Sequence, residues 1–339
     1  MEAGALQPMV VASFGTSTPF AYWGFVLLCK VVGFLTGDFA RIHGTTLNEL
    51  REGWRARAGR SVVFTTDLPE TALTAFFSAN RVRTVVFLDD PKDAVISAIA
   101  SRGLTVEEAI RFSTRGFCAM AEPFTDPAAL VIRRWKVSDI RDILGSISTY
   151  LGGEGDDKEI EALLSFCVDT YSPDKSSNLE YHLSESGIHG AIFGNEQPEI
   201  SHFMDRLIDK AIDGYRPLLQ GDQPSNICWP NELFFGADNR AAFAPIDITG
   251  RARTIIWGPY MFLPRGTWKA TVVFEVANNL SGDLVVTDVR VNEVLVEKRA
   301  MMPKFGMFSY YLIFDIDDPN KPVEVRLLMT RGAIEGTFL

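Results

Sequence analysis

The chain has 339 residues, 47% of them hydrophobic and 22% charged, with a formal net charge of −10 at pH 7. That length and apolar content provide cores for two ordinary domains or one large one, which excludes a disordered chain. The excess acid, most of it before Asn231, gives nucleic-acid binding no electrostatic support. It also disfavours a multiply phosphorylated ligand unless a few local cations are placed for it.

From Met9 to Arg115, short β-branched runs ("MVVASFG", "SVVFTTD", "TVVFLDD") alternate with helical stretches. This is the pattern of a parallel sheet covered by helices. Within it, "FAYWGFVLLCKVVGFL" (Phe20 to Leu35) has 16 residues and includes Lys30. A membrane span needs about 20 apolar residues, so a buried helix is expected here and no transmembrane span. Pro123 to Gly221 reads as mostly helical, with apolar positions three and four apart in "VSDIRDILGSISTYLG", "DDKEIEALLSFCVDTY" and "EISHFMDRLIDKAIDGY".

After the "GDQPSN" break the pattern turns all-β. "RTIIWGPYMFL", "TWKATVVFEVAN", "DLVVTDVRVN", "FSYYLIFDID" and "VEVRLLM" are separated by Pro, Gly, Asn and Asp turns, as in an antiparallel sandwich. Two domains are expected, 1–222 and 231–339: a three-layer α/β domain followed by a β-sandwich. Cys29, Cys118, Cys167 and Cys228 form no CxxC pair, and no short basic leader opens the chain. The expectation is a reduced, cytoplasmic protein, peripheral to the inner membrane if it meets a membrane at all.

Two turns carry the candidate chemistry. In "ASFGTSTPFAYW", Gly15 permits a tight turn, Thr16, Ser17 and Thr18 supply hydroxyls and backbone N–H groups, and Pro19 suits the first turn of a helix. A strand, a Gly–hydroxyl turn and a helix N-terminus make an anion site. The same turn also serves as a plain helix cap, and without Gly-Lys-Ser/Thr it is not a Walker loop. The second turn, in "TVVFLDDPKDAVISAI", puts Asp89 and Asp90 where a phosphate site wants positive charge.

In order along the chain, the Gly–Thr–Ser turn, "FTTDLPETAL" and "VVFLDDPKDAVIS" resemble the sulfotransferase family over residues 9–216. "ALVIRRWKVSDIRDILGSISTYLGGEGDDKEIEALLSFC" resembles that family's strand, short loop, helix, FLG and helix segment. The resemblance implies a P-loop-type parallel sheet and transfer of sulfate from 3′-phosphoadenosine-5′-phosphosulfate to a hydroxyl or amine. Gly15, Thr16, Ser17 and Thr18 would then meet the 5′-phosphosulfate. Ser97, eight residues after Asp89, would meet the 3′-phosphate.

The departures from the family pattern are chemical. Ser13 stands at the position of the family's loop Lys, Asp89 at that of the Arg gripping the 3′-phosphate, and no basic residue stands near Gly187 for the family's Arg-Lys-Gly contact. Each lost charge-assisted contact costs about 1.5–3 kcal/mol, before any repulsion from Asp89. Asp67 occupies the family's general-base slot before "LP", since some carbohydrate sulfotransferases use a carboxylate there; it also suits a cap for a helix starting at Pro69. Lys92 and Arg102 either replace the missing cations or lie on a solvated helix face.

In the β-rich part, "IIWGPYMFLPRGTWKATVVFEVANN" resembles the GPY-x-x-LP-x-G-x-Y segment of β-sandwich modules attached to bacterial glycan enzymes. The resemblance makes Trp257, Tyr260 and Trp268 candidates for stacking on sugar; filling the sandwich core is the alternative for each. No HExxH, GxSxG or GxGxxG pattern occurs, no metal site is expected, and "DIDDPN" (Asp315 to Asn320) reads as a strand-end turn.

Two functions follow. One is a sulfotransferase-like scaffold with lost or impaired sulfonucleotide binding, serving bacterial cell-surface polysaccharide biosynthesis or assembly with a polysaccharide or glycolipid and a glycan-assembly complex as partners. The other is an active carbohydrate O-sulfotransferase using 3′-phosphoadenosine-5′-phosphosulfate, with Asp67 as base.

Overall fold

The computed structural model describes residues 7–167, 178–185, 201–224, 226–236, 241–242, 245–279 and 284–338. The chain forms two compact units, Met1–Ser201 with Tyr215–Ser225, and His202–Gly214 with Asn226–Leu339. The helix His202–Ile212 therefore belongs with the β-rich unit, although the sequence groups it with the preceding helices.

The first unit is built on five parallel strands: β1 (Val10–Gly15), β2 (Ala40–His43), β3 (Val62–Thr66), β4 (Arg83–Leu88) and β5 (Leu130–Arg133), in the order β2-β3-β1-β4-β5. The central strands are buried on both sides, which is why they read as continuous β-branched runs. β2 and β5 each have four residues and lie at a sheet edge, so the residue pattern alone shows neither; β5 is where the family resemblance puts a strand, at the head of "ALVIRRW".

On one face, Val11, Val63, Val85 and Phe87 pack beneath α1 (Pro19–Thr36), α7 (Ile140–Leu151) and α8 (Asp157–Cys167). On the other, Phe14 and Phe64 meet Phe77 of α3 (Thr71–Ala79). This is a three-layer α/β architecture. By length and composition α1 could cross a membrane, but 67% of it is buried within the protein, as a core helix requires.

Close approach explains two glycines. A Cβ on Gly24 of α1 would lie 2.4–2.6 Å from the Phe87 ring, so Gly24→Ala is expected to cost about 1–3 kcal/mol, read by denaturant unfolding. A Cβ on Gly15 would meet Ala21 Cβ at 2.7 Å and the Phe87 carbonyl oxygen at 3.1 Å. Gly15 is required because the turn lies tightly against β4; its backbone is not left-handed.

The second unit is a sandwich of two antiparallel sheets. Its strands are β6 (Phe235–Gly236), β7 (Ile246–Asp247), β8 (Arg253–Met261), β9 (Gly266–Ala277), β10 (Leu284–Val291), β11 (Glu293–Met301), β12 (Gly306–Ile316), β13 (Val323–Met329) and β14 (Thr337–Phe338). The sheets run β11-β10-β13-β8-β6 and β12-β9-β14-β7. Leu312, Phe314 and Ile316 of β12 face Val289 of β10 and Val323 of β13 across the core, while Tyr311, Ile313 and Asp315 alternate outward. β11, unexpected from sequence, is an edge strand whose charges and exposure hide its alternation. Asp318 accepts from Asn320 N at 3.1 Å, as in the expected strand-end turn.

Candidate functional site

All five strands of the first sheet are parallel, so their carboxyl ends share one edge, where open α/β sheets bind ligands. The turn 16–18 follows β1, Asp67 follows β3, Asp89 and Asp90 follow β4, and Arg134 follows β5.

The hydroxyls of the first turn are engaged within the protein. Thr16 Oγ1 accepts from Asp89 N at 3.3 Å and Thr16 N donates to Phe87 O at 3.3 Å, which stitches the turn to β4. Ser17 Oγ donates to Asp67 Oδ2 at 2.6 Å, and Thr18 caps α1 by accepting from Ala21 N at 3.3 Å.

Asp67 does not cap a helix: α3 starts at Thr71 with Glu70 at its N-cap position. Its Oδ2 accepts three hydrogen bonds, from Ser17 Oγ, from Tyr22 OH at 2.8 Å and from Arg102 Nη2 at 2.9 Å. Burial, with the adjacent Asp67 carboxylate second, pushes the Tyr22 phenol up to about 12. Arg102, which also stacks on Phe112 with Cζ 4.4 Å from the ring centre, is thus committed to Asp67.

Asp89 and Asp90 hold two further arginines. Arg134 Nη1 donates to both Asp89 oxygens at 3.2 Å, and its Nε and Nη2 donate to Glu180 at 3.0–3.2 Å. Asp90 N donates to Asp89 Oδ1 at 2.9 Å. Burial pushes the Asp89 carboxyl up to about 6, outweighing Arg134. Asp90 caps α4 (Pro91–Arg102) by accepting from Lys92 N at 2.8 Å, and its other oxygen takes Arg216 Nη1 at 2.8 Å.

Ser97, on α4, is fully buried and its Oγ has no hydrogen-bond partner; Ser13, at the family's Lys position, is in the same state. The turn residues, Asp67 and Asp89 therefore come together at one edge, while Ser97 is sealed inside. The segment around Gly187 lies outside the described residues.

Sequence reading missed Tyr22, Arg134, Glu180 and Arg216. Only Arg134 left a signal: the pair Arg133-Arg134 directly follows the apolar run "ALVI".

Among the described residues, Arg102, Arg134 and Arg216 each bind a carboxylate of this edge, and the Ser97 hydroxyl is fully buried.

In the second unit, Trp257 and Tyr260 stand with Phe235 in a half-buried aromatic cluster. Trp257 stacks on Phe235 at 6.3 Å and 26°, Phe235 lies 6.2 Å from Tyr260, and Tyr260 OH donates to Glu324 Oε1 at 3.0 Å. Trp268, also half-buried, packs on β9 against the buried cluster of Leu312 and Phe314, and its Nε1 donates to Pro264 O at 2.9 Å. Among the described residues, no three His, Cys, Asp or Glu side chains gather as a metal set.

No family model and no curated protein matches the chain. Among solved structures it is similar to a mouse sulfotransferase complexed with PAP, at 12% identity and a TM-score of 0.42, over 64% of this chain and 87% of that one. It is similar to retinol dehydratase in complex with androsterone and the inactive cofactor PAP, at 15% identity and a TM-score of 0.40, over 67% and 84%. A second retinol dehydratase structure, with retinol and PAP, matches at 14% identity and a TM-score of 0.38, over 66% and 84%. By its own sheets, the chain is a three-layer α/β unit followed by an antiparallel sandwich.

Proposed function

We propose that this chain is a sulfotransferase-like protein that has given up its sulfonucleotide and acts as a glycan-binding component of bacterial cell-surface polysaccharide biosynthesis or assembly. The observation that supports this most is the Asp89–Arg134–Glu180 chain. An acid sits where the resemblance calls for a phosphate-gripping Arg, and the nearby guanidinium is spent on it. The alternative, an active carbohydrate O-sulfotransferase, would require Asp67 to take a proton on an oxygen that already accepts three hydrogen bonds, or on the other oxygen of a buried carboxylate.

Thermal melting in the presence of 3′-phosphoadenosine 5′-phosphate tests the first half. A ligand held at about 1,000 times its Kd stabilises a fold by about 4 kcal/mol, so a micromolar binder at millimolar concentration would raise Tm by several degrees. No rise is expected; a rise of that size would restore the enzyme reading.

The glycan half rests on Phe235, Trp257 and Tyr260. These are contiguous, partly exposed rings beside Glu324 and Arg290, the combination that stacks on sugar C–H faces and bonds hydroxyls. Trp257→Ala is expected to abolish retardation on an acidic exopolysaccharide affinity gel. Unchanged retardation would remove this surface from the account.

A further inference from the structure

A cavity of about 540 Å³ lies in the first unit between α3 and the short helix Ala121–Thr125, beside the amino end of β4. Its apolar part is formed by Phe14 and Phe77, whose rings meet edge to face at 6.0 Å and 70°. The Tyr150 hydroxyl fixes the rim, donating to Ala128 O at 2.8 Å and accepting from Thr84 N at 2.9 Å. The lining shares no residue with the carboxyl edge that holds Asp67 and Asp89.

The mouth carries both signs of charge, from different walls. Exposed Arg81 and Arg83 come from the connection between α3 and β4, and exposed Glu122 and Asp126 from the short helix and the turn after it. Arg81 ends α3: its N–H donates to Ser78 O and that of Val82 to Phe77 O, both at 3.0 Å, with Arg81 at a φ of 50°. Glycine is the usual residue at such a left-handed helix end, because it has no Cβ to crowd the carbonyl. This chain keeps a long cation there, and among the described residues its guanidinium has no partner. Arg83 donates from Nη1 to Leu151 O at 2.6 Å, and Asp126 accepts from Ala128 N on Oδ1 at 2.8 Å, so each retains groups for a ligand.

We propose that this cavity binds a short peptide with an aromatic side chain, its terminal carboxylate on Arg81 and Arg83 and its ammonium on Glu122 and Asp126. The two pairs of charges balance, which matches a ligand bearing both signs better than an anion or a cation. Charges on separate walls also need a ligand whose own charges are set apart; each extended residue adds about 3.3–3.6 Å, so about two or three residues suit the cavity better than one amino acid. Phe14 and Phe77 offer the rings against which an aromatic side chain packs. The inference uses the first unit alone and stands whether or not the sulfonucleotide reading holds.

Calorimetric titration of the full chain with glycyl-phenylalanyl-glycine tests it, beside the N-acetyl and C-amide forms of the same peptide, each of which lacks one terminal charge. The free peptide is expected to bind at least tenfold more tightly than either blocked form. Arg81→Gly should abolish the preference for the free carboxylate without lowering Tm, since glycine suits that backbone. Glu122→Gln with Asp126→Asn should abolish the preference for the free ammonium, the asparagine oxygen still being able to accept from Ala128 N. No binding of the free peptide, binding indifferent to the blocking groups, or binding that Arg81→Gly leaves unaltered overturns the proposal.

Discussion

Arg134→Ala is expected to destabilise the first unit by about 2–3 kcal/mol at pH 7.5, and by clearly less at pH 5. Removing one partner of a buried ion pair strands the other charge, at about 3–5 kcal/mol when both are buried. Here the Asp89 side chain is 2% exposed and Arg134 31%, which sets the expectation lower. The pH dependence follows from Asp89, whose carboxyl lies at about 6 in the fold against 3.8 when unperturbed. A folded value above the unfolded one means the group favours folding most below pH 4, and that contribution is lost as pH rises through 6.

Below pH 5 Asp89 is protonated, so its attraction to Arg134 is absent and removal of Arg134 matters less. Without Arg134 the carboxyl should titrate higher still. Urea unfolding of the wild type and the variant at the two pH values measures this. An equal loss at both would show that Arg134 acts through Glu180 and Asp93 rather than Asp89.

Trp268→Ala is expected to cost about 2–3 kcal/mol, below the ~3–5 kcal/mol of a fully buried aromatic because the ring is half-buried. Its ring packs with Leu312 and Phe314, and its indole N–H is satisfied by Pro264 O, so truncation opens a cavity and orphans a carbonyl. Trp257→Ala should shift the second unit's melting less, because Trp257 stacks on the half-buried Phe235, whereas Trp268, itself half-buried, packs against the buried Leu312–Phe314 cluster. If Trp268→Ala melts like the wild type and loses glycan binding, the assignment of the two rings is reversed.

The sequence made the centre of the fold readable because buried parallel strands must be apolar on both faces. β1, β3 and β4 therefore stood out as β-branched runs, and the turns after β1 and β4 fell where their helix caps are. β2, β5 and β11 are edge strands, where one side needs no apolar neighbour and the pattern fades.

For the site, local chemistry gave Thr16, Ser17, Asp67 and Asp89 but not their partners. Arg134 lies 45 residues from Asp89, and Arg216 lies 126 from Asp90. Such pairings exist only once the sheet aligns its carboxyl ends. Sequence could register that family cations were missing; it could not register that Arg102, Arg134 and Arg216 are spent on carboxylates.

The central claim is that this edge no longer serves a sulfonucleotide. Calorimetric titration of the full chain with 3′-phosphoadenosine 5′-phosphate tests it most directly. Two or three lost charged contacts at about 1.5–3 kcal/mol each amount to several powers of ten in affinity, so a Kd of about 1 mM or weaker is predicted. A micromolar Kd with one site per chain would contradict it, and would mean that Arg102, Arg134 or Arg216 leaves its carboxylate for the nucleotide.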